Sequence, residues 1–225
     1  MQVIPAINCV EPECVVEKVA AAKKFLPKDG WLHIDVADAR FTFNKTWGNP
    51  EGFKLLKKKH PDIQFEIHLM VEEPERAIPD WLEAGAERVI VHLEALTKRE
   101  GSIEVDPKRI EWVYAKCAEY GAEAMLAINP ETPVEELLAA GGKFLEFQIL
   151  AVHPGLAGQK FLPLMLEKVK FLRIKLPHAK IEVDGGVNEE IAKLVKDAGA
   201  DIVTSASHIF ESRDPKAAYE TLKSL

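Results

Sequence analysis

A rhythm constrains this chain more than any single residue does. Short β-branched runs alternate with longer amphipathic runs, and the alternation repeats eight times. The candidate strands are 2–8, 31–36, 64–70, 88–93, 123–129, 145–153, 180–184 and 201–206. Several are continuous apolar runs, as expected of parallel strands buried on both faces. Parallel neighbours need a crossover between them, and the intervening segments supply helices. Segment 13–26 sets Val16, Val19, Ala20 and Phe25 near helical spacing, and 164–176 sets Leu166, Val169, Leu172 and Leu176 on one stripe. Eight strand–helix units that close on themselves make a (β/α)8 TIM barrel, an α/β fold. An open doubly wound sheet is the alternative.

A weak internal repeat points the same way. Ala84-Gly85-Ala86-Glu87, Tyr120-Gly121-Ala122-Glu123 and Ala198-Gly199-Ala200-Asp201 each fall where a helix ends and a strand begins, and glycine suits the left-handed cap there. No Ser/Gly/Pro-rich linker interrupts the 225 residues, so 1–225 reads as a single barrel domain. The charged stretch 94–108 is the longest excursion. Hydrophobic residues make up 47% and charged residues 29%, which excludes a disordered chain. A net charge of −7 argues against a nucleic-acid partner, which would need clustered basic excess. No apolar run nears the roughly 20 residues that span a bilayer, so no membrane partner is expected. The first residues lack the basic-then-apolar pattern of a secretory signal. Cys9, Cys14 and Cys117 are three in number with no CxxC, which reads as a reduced, cytoplasmic chain without disulfides.

In such a barrel the chemistry sits at the C-terminal ends of the strands. Strand two ends His33-Ile34-Asp35-Val36-Ala37-Asp38, strand three His68-Leu69-Met70, and strand seven Glu182-Val183-Asp184-Gly185-Gly186. Side chains alternate along a strand, so His33 and Asp35 face the same way. If that way is inward they meet His68 and Asp184 across the mouth. Two imidazoles and two carboxylates form a donor set for one divalent metal ion, Zn²⁺, Fe²⁺, Mn²⁺ or Co²⁺, among which ligand type does not choose. Four separately satisfied core or rim residues are the alternative. His92 and His153 end strands four and six and are read as rim residues or lining of the same mouth.

Three loops carry a phosphate signal: Gly155-Leu156-Ala157-Gly158 after strand six, Gly185-Gly186 after strand seven, and Ala206-Ser207 after strand eight. Glycine lets backbone N–H groups approach an anion, and barrels often bind phosphate at the last loops. No Gly-x-x-x-x-Gly-Lys-Ser/Thr loop and no Gly-x-Ser-x-Gly elbow occurs.

Along nearly its whole length the chain resembles the ribulose-phosphate 3-epimerase family. The matching stretches are His33 to Asp38 with Phe41 and Asn44, and His68-Leu69-Met70-Val71 with Pro74. Asn129-Pro130 with Thr132-Pro133 and Val152 with Pro154-Gly155 follow. Gly158-Gln159-Lys160-Phe161, Glu182 to Val187, and Ser207 with Ile209-Phe210 complete them. The resemblance implies a ribulose-phosphate-binding type of barrel and a cytoplasmic isomerase of carbohydrate metabolism, in the pentose phosphate pathway. Such an enzyme interconverts D-ribulose 5-phosphate and D-xylulose 5-phosphate through an enediolate. It implies a metal held by His33, Asp35, His68 and Asp184, with Asp35 and Asp184 also moving the C3 proton. Two acid/base groups on opposite faces of a planar intermediate are what epimerisation beside a ketone requires. Met70 would wall the site, and the phosphate would lie on Gly155, Leu156, Ala157, Gly158, Gly185, Gly186, Ala206 and Ser207.

The chain also departs from the family pattern. Ala6 stands where the family usually has Ser, and Asn8, facing the same way, is the candidate replacement contact. Ala37 replaces a usual Met, Ala39-Arg40 a usual Gly-His, and Phe43 a usual Pro. His153 stands for an acidic or amide residue, and Ala157 and Ala206 for glycines. This altered shell leaves two rivals open. One is the same chemistry on a related ketose phosphate such as D-allulose 6-phosphate, with Ala37 supplying room. The other is a catalytically inactive phosphosugar-binding barrel. The barrel lyases marked by Asp-x-Lys-x-x-Asp are not supported, because Asp35-Val36-Ala37-Asp38 has no lysine. Homo-oligomerisation is left open.

Overall fold

In the computed structural model, which describes residues 1–98, 104–140 and 144–225, the eight strands close into a parallel barrel in chain order. They are β1 (Gln2–Ile7), β2 (Gly30–Ala37), β3 (Ile63–Met70), β4 (Arg88–His92), β5 (Glu123–Ile128), β6 (Glu146–Leu150), β7 (Lys180–Asp184) and β8 (Ile202–Ser205). The helices are α1 (Pro12–Ala22), α2 (Pro50–Lys59), α3 (Pro74–Glu83), α4 (Pro107–Glu119), α5 (Glu135–Ala140), α6 (Met165–Lys175), α7 (Glu189–Ala198), α8 (Ser207–Phe210) and α9 (Pro215–Ser224). The doubly wound alternative falls because β8 pairs with β1 and leaves no sheet edge. The sixth strand stops at Leu150, three residues short of the sequence expectation. There the Ala151 amide still donates to the Asp184 carbonyl of β7, while its own carbonyl accepts from the Leu162 amide across the loop. Part of the 94–108 excursion, residues 99–103, lies outside the described residues. Its start is a 3-10 turn, Leu93–Leu96.

Local chemistry explains the helix boundaries. Proline opens α1, α2, α3, α4 and α9, where its missing N–H has no helical partner to lose. Asn49, Asp106, Asn188 and Asp214 cap the amides of Gly52, Lys108, Ile191 and Ala217. The three repeated glycines, Gly85, Gly121 and Gly199, all take positive φ where helix turns into strand. The main core lies between sheet and helices, with Phe53 edge-on to Phe65 at 5.2 Å and tilted against Trp81 at 5.4 Å. Each such fully buried side chain contributes roughly 1.5–3 kcal/mol. Inside the barrel a small apolar group (Ile4, Ile90, Met125, Ala127, Ile202) shares the space with buried polar residues. No helix among the described residues is long and apolar enough to cross a membrane.

One sequence expectation is overturned. Cys9 and Cys14 form a disulfide with their Cα atoms 5.9 Å apart; Cys117 is free and buried. The chain reverses between the end of β1 and the first turn of α1. That reversal brings together two cysteines whose spacing matches no short redox motif.

Candidate active site

Strands β2, β3 and β7 deliver four side chains to one point at their C-terminal ends. His33 and Asp35 both enter the barrel because they lie two residues apart, and the register sets Asp35 opposite His68. One donor atom from each of His33, Asp35, His68 and Asp184 lies within 4.8 Å of the others, and all four residues are buried. Asp35 Oδ1 is 3.2 Å from His33 Nε2 and 3.0 Å from His68 Nδ1. Asp184 Oδ2 is 3.5 Å from the same His68 Nδ1. Burial alone would raise the Asp35 carboxyl, but hydrogen bonds from His33 and His68 hold it far below the usual carboxylate range. The same contacts overcome burial in the other direction and raise both imidazoles, His33 strongly. Two nitrogens and two carboxylates suit a divalent first-row metal or zinc. Each histidine has its second nitrogen engaged by the protein, which leaves the first to face an ion. On both counts the four residues fit a divalent cation.

The layer below is charged as well. Glu66 and Glu182 sit two residues before His68 and Asp184, so the same alternation turns them inward. Glu66 Oε1 is 2.8 Å from His33 Nδ1, and Glu66 Oε2 accepts from Arg88 Nη1 at 2.5 Å. The Arg88 guanidinium stacks on Trp31 at 4.2 Å and reaches Glu123 and Glu146 at the barrel floor. Burial and the neighbouring Glu66 push Glu182 up to about 8 against the opposing pull of His33 and Arg88. His33, Glu66 and Glu182 also group as metal donors. Arg88 already supplies the positive charge there.

Asn8 joins two parts of the mouth. Its Nδ2 donates to Asp35 Oδ2 and to the Gly155 carbonyl, both at 3.0 Å. The reverse orientation would press its oxygen against two acceptors, so the network fixes the amide. Asn44 Nδ2 donates to the same carbonyl at 3.2 Å. The Thr204 hydroxyl donates to Asp184 Oδ1. Asp38 holds the turn after β2 by accepting from the amides of Arg40, Phe41 and Glu72, with Ala39 at φ +62° where the family usually has glycine.

The cavity over these groups is bordered by Asn8, Asp35, Met70, Gly155, Leu156, Ala157, Gly158, Asp184, Gly185, Gly186, Ala206 and Ser207. The structure thus brings the expected catalytic and substrate residues to one cavity, with His33 and His68 buried beneath it. Ala6 borders the cavity, whereas Ala37 is buried and is not among the residues that border it. His153 points away and pairs with Glu131 at 2.8 Å, both side chains 63% exposed. His92 is not at the rim but fully buried behind His68. Sequence reasoning missed Glu66, Arg88, Glu94 and Thr204. Strand alternation alone carried a signal for Glu66.

A family model described as the ribulose-phosphate 3 epimerase family matches residues 2–210. The chain is 37% identical over 218 residues to the ribulose-phosphate 3-epimerase of Chlamydia pneumoniae, covering 92% of this chain and 87% of that one. It is 35% identical over 207 residues to the ribulose-phosphate 3-epimerase of Candida glabrata, covering 86% and 80%. A solved 3-hexulose-6-phosphate synthase from Salmonella typhimurium superposes with a TM-score of 0.71 at 19% identity over 100% of this chain and 97% of that one, a likeness of fold alone. With a family match that runs from β1 into α8 and takes in every strand of the mouth, this chain belongs to the ribulose-phosphate 3-epimerase family.

Proposed function

We propose that the protein is an isomerase that interconverts D-ribulose 5-phosphate and D-xylulose 5-phosphate by moving the proton at C3. The observation that carries this reading is the pair of carboxylates, Asp35 and Asp184, that meet at His68 Nδ1 beneath a cavity with glycine loops on one side. Each carboxylate is steadied by a neighbour outside the donor set, Asp35 by Asn8 and Asp184 by Thr204. In this reading one carboxylate takes the C3 proton from one face of the sugar and the other returns a proton to the opposite face. His33, Asp35, His68 and Asp184 would hold a divalent ion, which when bound supplies Lewis acidity that stabilises the negative charge developing on the substrate oxygens. Met70, only 2% exposed, gives the site an apolar wall that limits water. Asn8 has spent both amide hydrogens on protein acceptors, so toward substrate it offers only its carbonyl oxygen, which suits a sugar hydroxyl. The phosphate would lie on backbone N–H groups of Gly155, Leu156, Ala157 and Gly158, of Gly185 and Gly186, and of Ala206 and Ser207.

Proton NMR of D-ribulose 5-phosphate in D₂O tests this. Deuterium should enter C3 as D-xylulose 5-phosphate forms, stop on chelation and resume when Zn²⁺, Fe²⁺, Mn²⁺ or Co²⁺ is returned; the ion that restores most activity identifies the preferred metal. No C3 exchange in metal-loaded protein would overturn the assignment, and exchange only with D-allulose 6-phosphate would move the substrate to a hexulose phosphate.

A further inference from the structure

Behind His68 lies a second imidazole that the proposed chemistry does not use. His92 closes β4, and its Nε2 stands 2.8 Å from His68 Nε2. The rings are within 20° of parallel with centroids 5.0 Å apart, while their facing nitrogens are far closer than the centroids. The contact is therefore an in-line N–H···N bond, and only one proton fits between the two nitrogens.

The far side of His92 decides which nitrogen carries that proton. His92 Nδ1 faces Glu94 Oε2 at 3.3 Å. The other oxygen, Glu94 Oε1, accepts from the Asn129 amide at 2.8 Å and from the Thr132 hydroxyl. An ionised carboxylate only accepts, so His92 carries its proton on Nδ1 and leaves Nε2 bare. His68 must then donate from Nε2. Nδ1, which faces Asp35 and Asp184, is then the nitrogen that gives up its proton and turns its lone pair to an ion when one binds. Beyond Glu94, the Lys168 ammonium donates to the carbonyls of Asn129, Pro130 and Thr132 at 3.1, 2.8 and 2.5 Å. Phe41 packs on the His92 ring with centroids 4.9 Å apart.

We propose that His92 and Glu94 are positioning residues that lock the tautomer of His68 and tie the metal centre to the turn between β5 and α5. This inference rests on the metal reading above. It assigns His92 a different means from the one that serves His33, whose outer nitrogen meets the carboxylate of Glu66 directly.

The test strips the full-length protein of metal and measures Co²⁺ affinity by chelator competition, with the absorption spectrum of bound Co²⁺ and the thermal midpoint of the metal-free protein alongside. His92→Phe keeps a ring against Phe41 and removes the acceptor. It should weaken Co²⁺ binding roughly 10- to 100-fold and change the Co²⁺ spectrum. His92→Gln, which keeps an acceptor and a donor, should recover most of the loss, and Glu94→Gln should lose less than His92→Phe. Wild-type affinity in all three variants, with only the thermal midpoint lowered, would overturn the lock and leave His92 a packing residue. The two readings fail separately. Wild-type protein that binds no Co²⁺ sinks the metal site, whereas nitrogen NMR of His68 in metal-free protein at alkaline pH still decides the lock. The proton should sit on Nε2 in wild type and redistribute in His92→Phe; an unchanged distribution would overturn the proposal.

Discussion

The two halves of the barrel mouth are built from different materials. On one side, His33, Asp35, His68 and Asp184 are side chains rooted in strands, and each leans on a group further out: Glu66, Asn8, His92 and Thr204. On the other side the expected phosphate cradle is backbone in the loops after β6, β7 and β8. The first half depends on which atoms a side chain carries. The second depends on how closely backbone can approach, and there an added carbon matters more than a changed charge. The difference makes each half breakable in its own way.

The largest effect is expected in the side-chain half. Asp184→Asn keeps the shape and removes the acid/base group, so turnover should fall by roughly 10²- to 10⁴-fold while the thermal midpoint barely moves. Near-normal turnover in that variant would refute the role given to Asp184.

Next comes the floor beneath that half. Arg88 is buried and is the countercharge for Glu66, with Glu182 only 4.0 Å from its guanidinium. Arg88→Met fills similar space and strands a buried carboxylate, which should cost about 3–5 kcal/mol in denaturant unfolding. The loss should reach the metal side, because Glu66 also holds His33. A loss under about 1 kcal/mol would mean that the floor carboxylates simply take up protons and need no cation.

The backbone half is tested at Gly186. Its φ is +68°, and a Cβ there would lie 2.3 Å from the Phe161 amide nitrogen. Gly186→Ala should cost roughly 1–3 kcal/mol and raise KM for the sugar phosphate more than it lowers kcat. A fall in kcat with KM unchanged would place Gly186 with the reacting groups and erase the division between the halves.

The two halves were also legible to different degrees. Strand spacing and alternation put His33 with Asp35, and hence with His68 and Asp184, because those relations lie within or between short stretches of sequence. The glycine loops were weak signals one by one and gained meaning from the resemblance to a family. What stayed hidden depends on register and on residues distant in sequence. Glu66 meets Arg88 because β3 and β4 pair with those two residues opposite each other. His92 sits behind His68 because β4 pairs with β3, and the 3-10 turn after β4 brings Glu94 to its outer nitrogen. The Cys9–Cys14 disulfide follows from a chain reversal that no cysteine count encodes. Past the end of strand six at Leu150, the Ala151 carbonyl likewise finds its partner in the Leu162 amide, eleven residues on.

Asn8 belongs to neither half alone, and its removal should produce the smallest effect. One amide nitrogen serves both Asp35 Oδ2 and the Gly155 carbonyl, so it links a reacting carboxylate to the phosphate-side loop. Asn44 remains as a second donor to that carbonyl, so the loop keeps one anchor when Asn8 is lost. Asp35, by contrast, loses a charge-assisted bond worth about 1.5 kcal/mol or more. Asn8→Ala should therefore lower kcat by roughly tenfold, on the same arithmetic, and raise KM only slightly. Steady-state kinetics decides between two designs. A fall confined to kcat means that Asn8 works for the carboxylate and that the halves are energetically separate. A comparable rise in KM means that the loop and the carboxylate move together through this one side chain.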